Sequence, residues 1–217
     1  PVDDGPEGRR SNADLYLADV AEHDGLIGLL GSPHLRPVLS GVQTNLYMVF
    51  MDTVWRHANR RGVSGLLHPE SHFVDPEGGR LREAAYTRLR RHWQFANGLF
   101  LFDDIHDMNV FGVQTYGKPA TPSFLQIGRL QHPSTIDGSL SHDGSGPTPG
   151  LQYPAGGWDL RPHRDRLVTV DIDVLADWAR LFDEPGTAPT EARLLRPVTR
   201  QDLGAISALA DQPVAPV

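Results

Sequence analysis

Four side chains of one short stretch, Asp103, Asp104, His106 and Asp107, carry the carboxylate and imidazole donors that suit several divalent ions. They crowd five consecutive positions, too close for all four to converge on one ion, and no second cluster completes a set, so no metal is expected. Asp171 and Asp173 have the two-residue spacing that shares one side of a strand, and with His163 and Asp165 they form a weak nuclease-like set. Arg161, Arg164 and Arg166 lie in one charged run; guanidinium pairs well with phosphate, which makes them DNA-backbone candidates, against the plainer reading of a solvated loop. His68 and His72 flank the end of an apolar segment, where loop and capping roles are commoner than ligation. The one Gly-x-Gly, at Gly144 and Gly146, follows Ser-His-Asp rather than an apolar run, so it reads as loop chemistry.

The chain around these residues has 217 positions, 39% hydrophobic and 22% charged, enough to bury a core in one domain or one domain with an appendage. No apolar run reaches the roughly 18 residues needed to span a bilayer, and the first residues carry acids rather than a signal pattern, so a cytoplasmic protein is expected. The absence of cysteine excludes disulfides, thiolate catalysis and cysteine-based zinc sites. The net charge of −7 argues against a protein that coats a polyanion. Arg56, Arg60, Arg61, Arg80, Arg82, Arg88, Arg90 and Arg91 nonetheless fall in one central stretch, where they read as the solvated sides of two helices.

The elements that must position the candidates follow from periodicity and punctuation. Pro1–Arg10 reads as a loose lead-in and Gln212–Val217 as a frayed tail. Ser11 or Asn12 caps a helix over Ala13–His23 that Gly25 stops; Leu26–Leu30 is a separate apolar piece, followed by a loop to Gln43. Thr44 caps the next helix, with Leu46, Val49, Phe50, Thr53 and Val54 on one stripe and Tyr47, Met51 and Trp55 on another, ended by Arg60, Arg61 and Gly62. Val63–Leu67 suits a central parallel strand closed by His68-Pro69. After a turn at Asp75–Gly79, a helix marked by Leu81, Ala84, Ala85 and Leu89 ends near Trp93. Phe95–Phe102 and Val110–Tyr116 are strands close enough to form a hairpin, with one antiparallel strand at the sheet edge. Beyond Gly117, Ser123–Leu130 is a further strand and His132–Arg166 a long irregular excursion; Leu167–Ile172 is a strand, and Val174–Phe182 and Gln201–Ala210 are helices. The sum is a layered α/β sheet with helices on its faces over 44–117, lead-in helices and a loop over 1–43, and an irregular α+β segment over 118–217.

One stretch carries a family likeness. Asn45-Leu46-Tyr47-x-x-Phe50 on a helix, Gly62-x-x-Gly65-Leu66-Leu67-x-Pro69-x-Ser71-x-Phe73 on a strand and its exit, Leu81-Arg82-Glu83 opening the next helix, and a final hydrophobic strand pair together resemble the adenine-N6 DNA methyltransferases of bacterial restriction and phage-defence systems. The likeness covers about a third of the chain. It implies the second half of a class I S-adenosylmethionine-dependent methyltransferase domain, with DNA as substrate and 118–217 as the start of a DNA-recognition region. It also implies that Asn45, Tyr47, Pro69, Ser71 and Phe111 line the target-base site, while none of them performs the transfer. In that family an aromatic residue between the last two strands clamps the extruded base; Ile105 falls near that place, between Phe102 and Phe111.

Two elements of the family's pattern are absent from the sequence: the Asn-Pro-Pro-aromatic loop and a strand followed by a glycine-rich turn. In the family's order both would precede Pro1. The expectation is therefore a methyltransferase half that needs its complement on the same chain or on a partner subunit, and that is inactive alone. Two other classes stand beside it: a non-catalytic DNA- or protein-interaction module, and a metal-dependent nuclease using the acidic and histidine loop.

Overall fold

The structure, a computed structural model, describes residues 11–59 and 61–210; the expectations for the lead-in, for Arg60 and for the tail lie outside the described residues. It is an α/β fold with a five-stranded mixed sheet flanked by helices. Among the described residues no helix is long and apolar enough to cross a membrane.

Helix α1 (Asn12–Leu30) opens on a capping box, with the Asp14 backbone N–H donating to Ser11 Oγ at 3.1 Å and the Asp14 carboxylate accepting from the Ser11 backbone at 3.1 Å. It runs through Gly25 and joins the two apolar pieces that the glycine was expected to separate. One glycine costs only ~1 kcal/mol relative to alanine inside a helix, too little to end one that is capped at both ends. No residue of α1 is buried.

Helix α2 (Leu46–His57) is capped by Asn45, whose side chain accepts from Tyr47 N–H at 3.4 Å, rather than by Thr44. It stops before the arginines: Ala58 is extended, and Asn59 folds its carboxamide onto the Arg61 N–H at 2.9 Å, a local turn that competes with the helix. Its buried stripe is Met48, Val49, Met51, Asp52 and Trp55, while Leu46 and Phe50 face solvent. Only one side is covered.

Strand β1 (Ser64–Pro69) is followed by helix α3 (Gly79–Tyr86) and the hairpin of β2 (Leu89–Ala96) and β3 (Val110–Tyr116). Helix α3 ends well before Trp93, because from Leu89 the chain pairs with β3, antiparallel and residue by residue after an irregularity between Leu89 and Arg91. Thus Arg90 and Arg91 sit on a strand, and the expected Phe95–Phe102 strand stops at Ala96. Arg82 is buried and donates to the carbonyls of Glu191, His72 and Asp75.

The hairpin folds β3 into the space beside β1, giving the order β1-β3-β2-β4-β5. Strand β1, expected at the centre and parallel to its neighbour, is therefore an edge strand antiparallel to β3; the hairpin strands, one of which was expected at the edge, are both interior. Because β1 and β2 both oppose β3, they run in the same direction, joined across α3. Strand β4 (Ser123–Leu130) pairs parallel to β2, and β5 (Val168–Asp171) pairs antiparallel to β4. Residues 118–210 thus extend the same sheet and share its core.

One face of the sheet packs against α2, α3, α5 (Ile172–Phe182) and α6 (Arg200–Ala210) through Phe73, Tyr86, Phe124, Val170 and Trp178. The other carries a smaller cluster of Phe95, Ile127, Leu130 and Leu167. The excursion between β4 and β5 contains α4 (Ser134–Ser141) and is otherwise held by side-chain-to-backbone bonds around Asp159 and Arg166.

Candidate functional site

Strands β1 and β2 both end at the same side of the sheet, the side where open α/β sheets gather ligands. At the end of β1 lies an apolar cleft of about 360 Å³ walled by Leu67, Pro69, Phe102, Ile105 and Phe111, with His68 and Asn109 as its polar members. Pro69 and Phe111 are register partners across β1 and β3. Phe111 stacks on Phe95 at 5.4 Å and 7° and takes the edge of Phe102 at 5.1 Å. Asn97, fully buried, shapes the far wall: its amide donates to the Phe102 and Ile105 carbonyls at 2.9 and 2.7 Å, and its oxygen accepts from Phe102 N–H at 3.0 Å.

Beside the cleft, Tyr47 from α2 meets the exit of β1. Its hydroxyl lies 2.8 Å from Ser71 Oγ and accepts the His72 N–H at 3.2 Å, and its ring stacks on His68 at 5.4 Å. His68 Nδ1 is 2.7 Å from the Pro69 carbonyl, which can only accept, so this nitrogen carries the proton. Its Nε2 is thereby left to accept from the buried Tyr116 hydroxyl at 3.2 Å. Burial holds the His68 imidazole below the ordinary histidine range, and holds that of His72, fully enclosed, well below it. Burial raises the Tyr47 phenol. This corner is therefore neutral near pH 7.

Beneath it lies a buried network that the sequence reading does not contain. Glu70, 2% exposed, bonds His92 Nε2 through Oε1; the same oxygen accepts Gln114 Nε2 at 3.1 Å, and Oε2 takes Arg196 Nε and Nη2 at 3.2 Å each. Burial alone would raise the Glu70 carboxyl, but the charges and hydrogen bonds of His92 and Arg196 outweigh it and hold the group below its usual value. Gly112 makes the approach possible, since a Cβ there would overlap Gln114 Nε2 and Glu70 Oε1. An isolated glycine inside an apolar strand was the one available signal. Arg196 lies on a strap pinned to the turn after β1 by Leu194 N–H to the Phe73 carbonyl at 3.0 Å and to β4 by Gln126 to the Leu195 carbonyl at 2.8 Å.

The structure thus brings Tyr47, Pro69, Ser71 and Phe111 to one corner. Asn45 caps α2 and does not line the cleft. Asp103, Asp104, His106 and Asp107 remain on an exposed loop, where His106 pairs with its neighbour Asp107 at 2.9 Å. Among the described residues no group of three or more histidines and acids is placed to hold a metal. Asp171 caps α5 while Asp173 lies in its first turn, so the two do not share a strand side. The His163 backbone N–H is tied to Ser139 Oγ, and its ring accepts from Asp165 N–H. Of the DNA-backbone candidates, Arg166 is buried and spends its guanidinium on the carbonyls of Gly150, Asp159 and Arg161; such a side chain cannot reach a phosphate from here. Arg161 forks onto Asp159, holding that carboxyl at about 2, and Arg164 is exposed.

The glycines that begin α3 are the nearest equivalent of a nucleotide-binding turn, and they are already occupied. A Cβ on Gly78 would lie 2.6 Å from the His72 carbonyl and 2.9 Å from Arg82 Nη1, so the close approach serves Arg82 and not an external phosphate or adenosine. These residues do not by themselves fit S-adenosylmethionine. Comparison with family models and with curated proteins finds no match for the chain.

Proposed function

We propose that this chain is the carboxyl-terminal part of an adenine-N6 DNA methyltransferase domain of class I type, with the apolar cleft at the end of β1 receiving the extruded adenine. The observation that carries the reading is the meeting of Pro69 and Phe111 in one cleft, with Tyr47 and Ser71 hydrogen-bonded beside it. An apolar, partly open cleft of this kind suits a base removed from its stack. Ile105 and Phe102 supply the clamp side; Asn45 acts through α2 rather than by contact. This chain's residues bind and orient the base, and the complete enzyme would move the methyl group of S-adenosylmethionine to N6 using a complementary half. The open edge of β1 supports that need: among the described residues the strand pairs only with β3, and its Leu67 is 57% exposed.

The second reading, a non-catalytic interaction module, is favoured by α1, which packs on the core only through its last residue, Leu30, and exposes Leu15, Tyr16, Leu17, Leu26, Ile27 and Leu29 among the described residues. Calorimetry with S-adenosylmethionine and sinefungin separates a half-domain from a whole one. The proposal expects no binding by this chain alone, and one-to-one binding would contradict it. Fluorescence of 2-aminopurine placed in a DNA duplex then distinguishes the two readings. An increase that Phe111→Ala abolishes supports the base cleft, and an unchanged signal in a complemented enzyme overturns it.

A further inference from the structure

A second cleft, of about 240 Å³, opens where the parallel strands β2 and β4 both terminate. Its walls include Gln94 of β2, Arg129 and Gln131 at the end of β4, Trp158 from the excursion and Arg196 from the strap. It shares only Val110 with the apolar cleft and belongs to the same ligand-gathering side of the sheet.

Three observations point to an occupant. Gln131 is 4% exposed, yet its Oε1 has no hydrogen-bond partner, an acceptor facing this cleft with nothing to accept from. Gly98 lets that oxygen and the indole approach the same backbone: a Cβ there would be 2.7 Å from Gln131 Oε1 and 3.2 Å from Trp158 Nε1, so an acceptor and an indole edge stand together at the cleft. Arg129 is exposed, with its backbone in the left-handed region at φ 56°, where the β2–β4 register shifts and its N–H donates to Gln94 Oε1 at 3.0 Å. Such irregularities re-aim a side chain. Its guanidinium makes no hydrogen bond or ion pair among the described residues, whereas the charge of Arg196 is committed to Glu70.

We propose that this cleft is a nucleotide site: an exocyclic amino group donates to Gln131 Oε1, the base lies against the Trp158 indole, and the phosphate pairs with Arg129. An amino donor satisfies the orphaned oxygen, the indole offers a stacking surface, and arginine is the residue suited to a phosphate fork. The volume is below the roughly 300–1,000 Å³ of sites that enclose a whole drug-sized ligand, so the base is enclosed and the phosphate stays at the mouth. The same chemistry describes a free nucleoside monophosphate and one nucleotide of a single strand. The inference does not rest on the methyltransferase reading, since neither the cofactor nor the base cleft enters it.

The test is calorimetry on the full chain with adenosine 5′-monophosphate and, in parallel, with a short oligodeoxyadenylate. The expected result is one-to-one binding that Arg129→Gly weakens by about tenfold or more and that Arg129→Lys partly retains. Glycine removes the guanidinium while relaxing the left-handed backbone, so the fold is kept, as an unchanged melting curve will show. Inosine 5′-monophosphate, with an oxo group in place of the amino group, is expected to bind about tenfold more weakly or worse to the unaltered protein. Tighter binding of the monophosphate identifies a free-nucleotide site, and tighter binding of the oligonucleotide identifies a strand site. Absence of binding by both, indifference to Arg129→Gly, or equal affinity for the inosine and adenosine compounds overturns the proposal.

Discussion

At one edge of the sheet β5 contributes four residues, with Val168 and Val170 fully buried, and leads without a loop into α5. At the other, β1 contributes six, has no second strand partner among the described residues and exposes Leu67, with the open face of the neighbouring α2 as further apolar surface. A short strand capped by a helix is how a sheet ends; a longer strand with apolar neighbours is how one continues. The polar investment is also lopsided. Glu70 and His68, at or just past the end of β1, tie it to β2, β3 and the strap, and His72 ties its exit to α2 and α3, so the open edge is held at the end where we place the base cleft.

The strongest way to break the contrast is Glu70→Ala, which strands His92 and Arg196 in the interior. Loss of one member of a buried ionic network costs ~3–5 kcal/mol, whereas Thr169→Ala on the exposed side of β5 should stay within ~0.5 kcal/mol in denaturant titration. Equal effects would remove the asymmetry.

Acid should loosen the β1 side in two steps. The folded-state values of His68 and His72 lie below that of an unfolded histidine, so the unfolded chain takes up protons first and stability falls as pH drops below about 6.5, by up to ~1.4 kcal/mol per pH unit for each imidazole. Glu70 is also depressed; its contribution is complete above the unfolded value of about 4.3 and is lost as pH falls below that. Thermal melts of His72→Gln should show a flatter slope between pH 7 and 5, and an unaltered slope would remove His72 from the account.

Smaller again is Tyr47→Phe, which deletes the hydroxyl shared by Ser71 and the His72 N–H and should cost ~1 kcal/mol. The least change in stability, within ~0.5 kcal/mol, is expected from Leu67→Lys, whose effect is on association: sedimentation should show less concentration-dependent self-association than the unaltered chain, while Thr169→Lys changes nothing.

Much of this architecture was legible because alternation and helical spacing are local. Strands β3 and β4 fall on the residues their patterns mark, and α5 and α6 begin within two residues of their expected starts. Placement was not legible, since the position of β1 is decided by where the β2–β3 hairpin folds back, a long-range pairing that β1's own residues do not encode. The cleft residues Pro69 and Phe111 came from a resemblance. Apart from Gly112, the network left no mark in the sequence, because Glu70, His92, Gln114 and Arg196 belong to four separate stretches and each reads alone as an ordinary polar residue. Arg166 shows the converse error, a charge that looks solvated in sequence and is enclosed by its own loop.

The most direct test of the half-domain account is labelled methyl transfer into duplex DNA by this chain supplied, in cis or from a second subunit, with the half that bears the glycine-rich turn and the Asn-Pro-Pro-aromatic loop. The account predicts label at adenine N6 from the pair, none from either part alone, and loss of transfer with Phe111→Ala. Transfer by this chain unaided, or none from the completed pair, would contradict it.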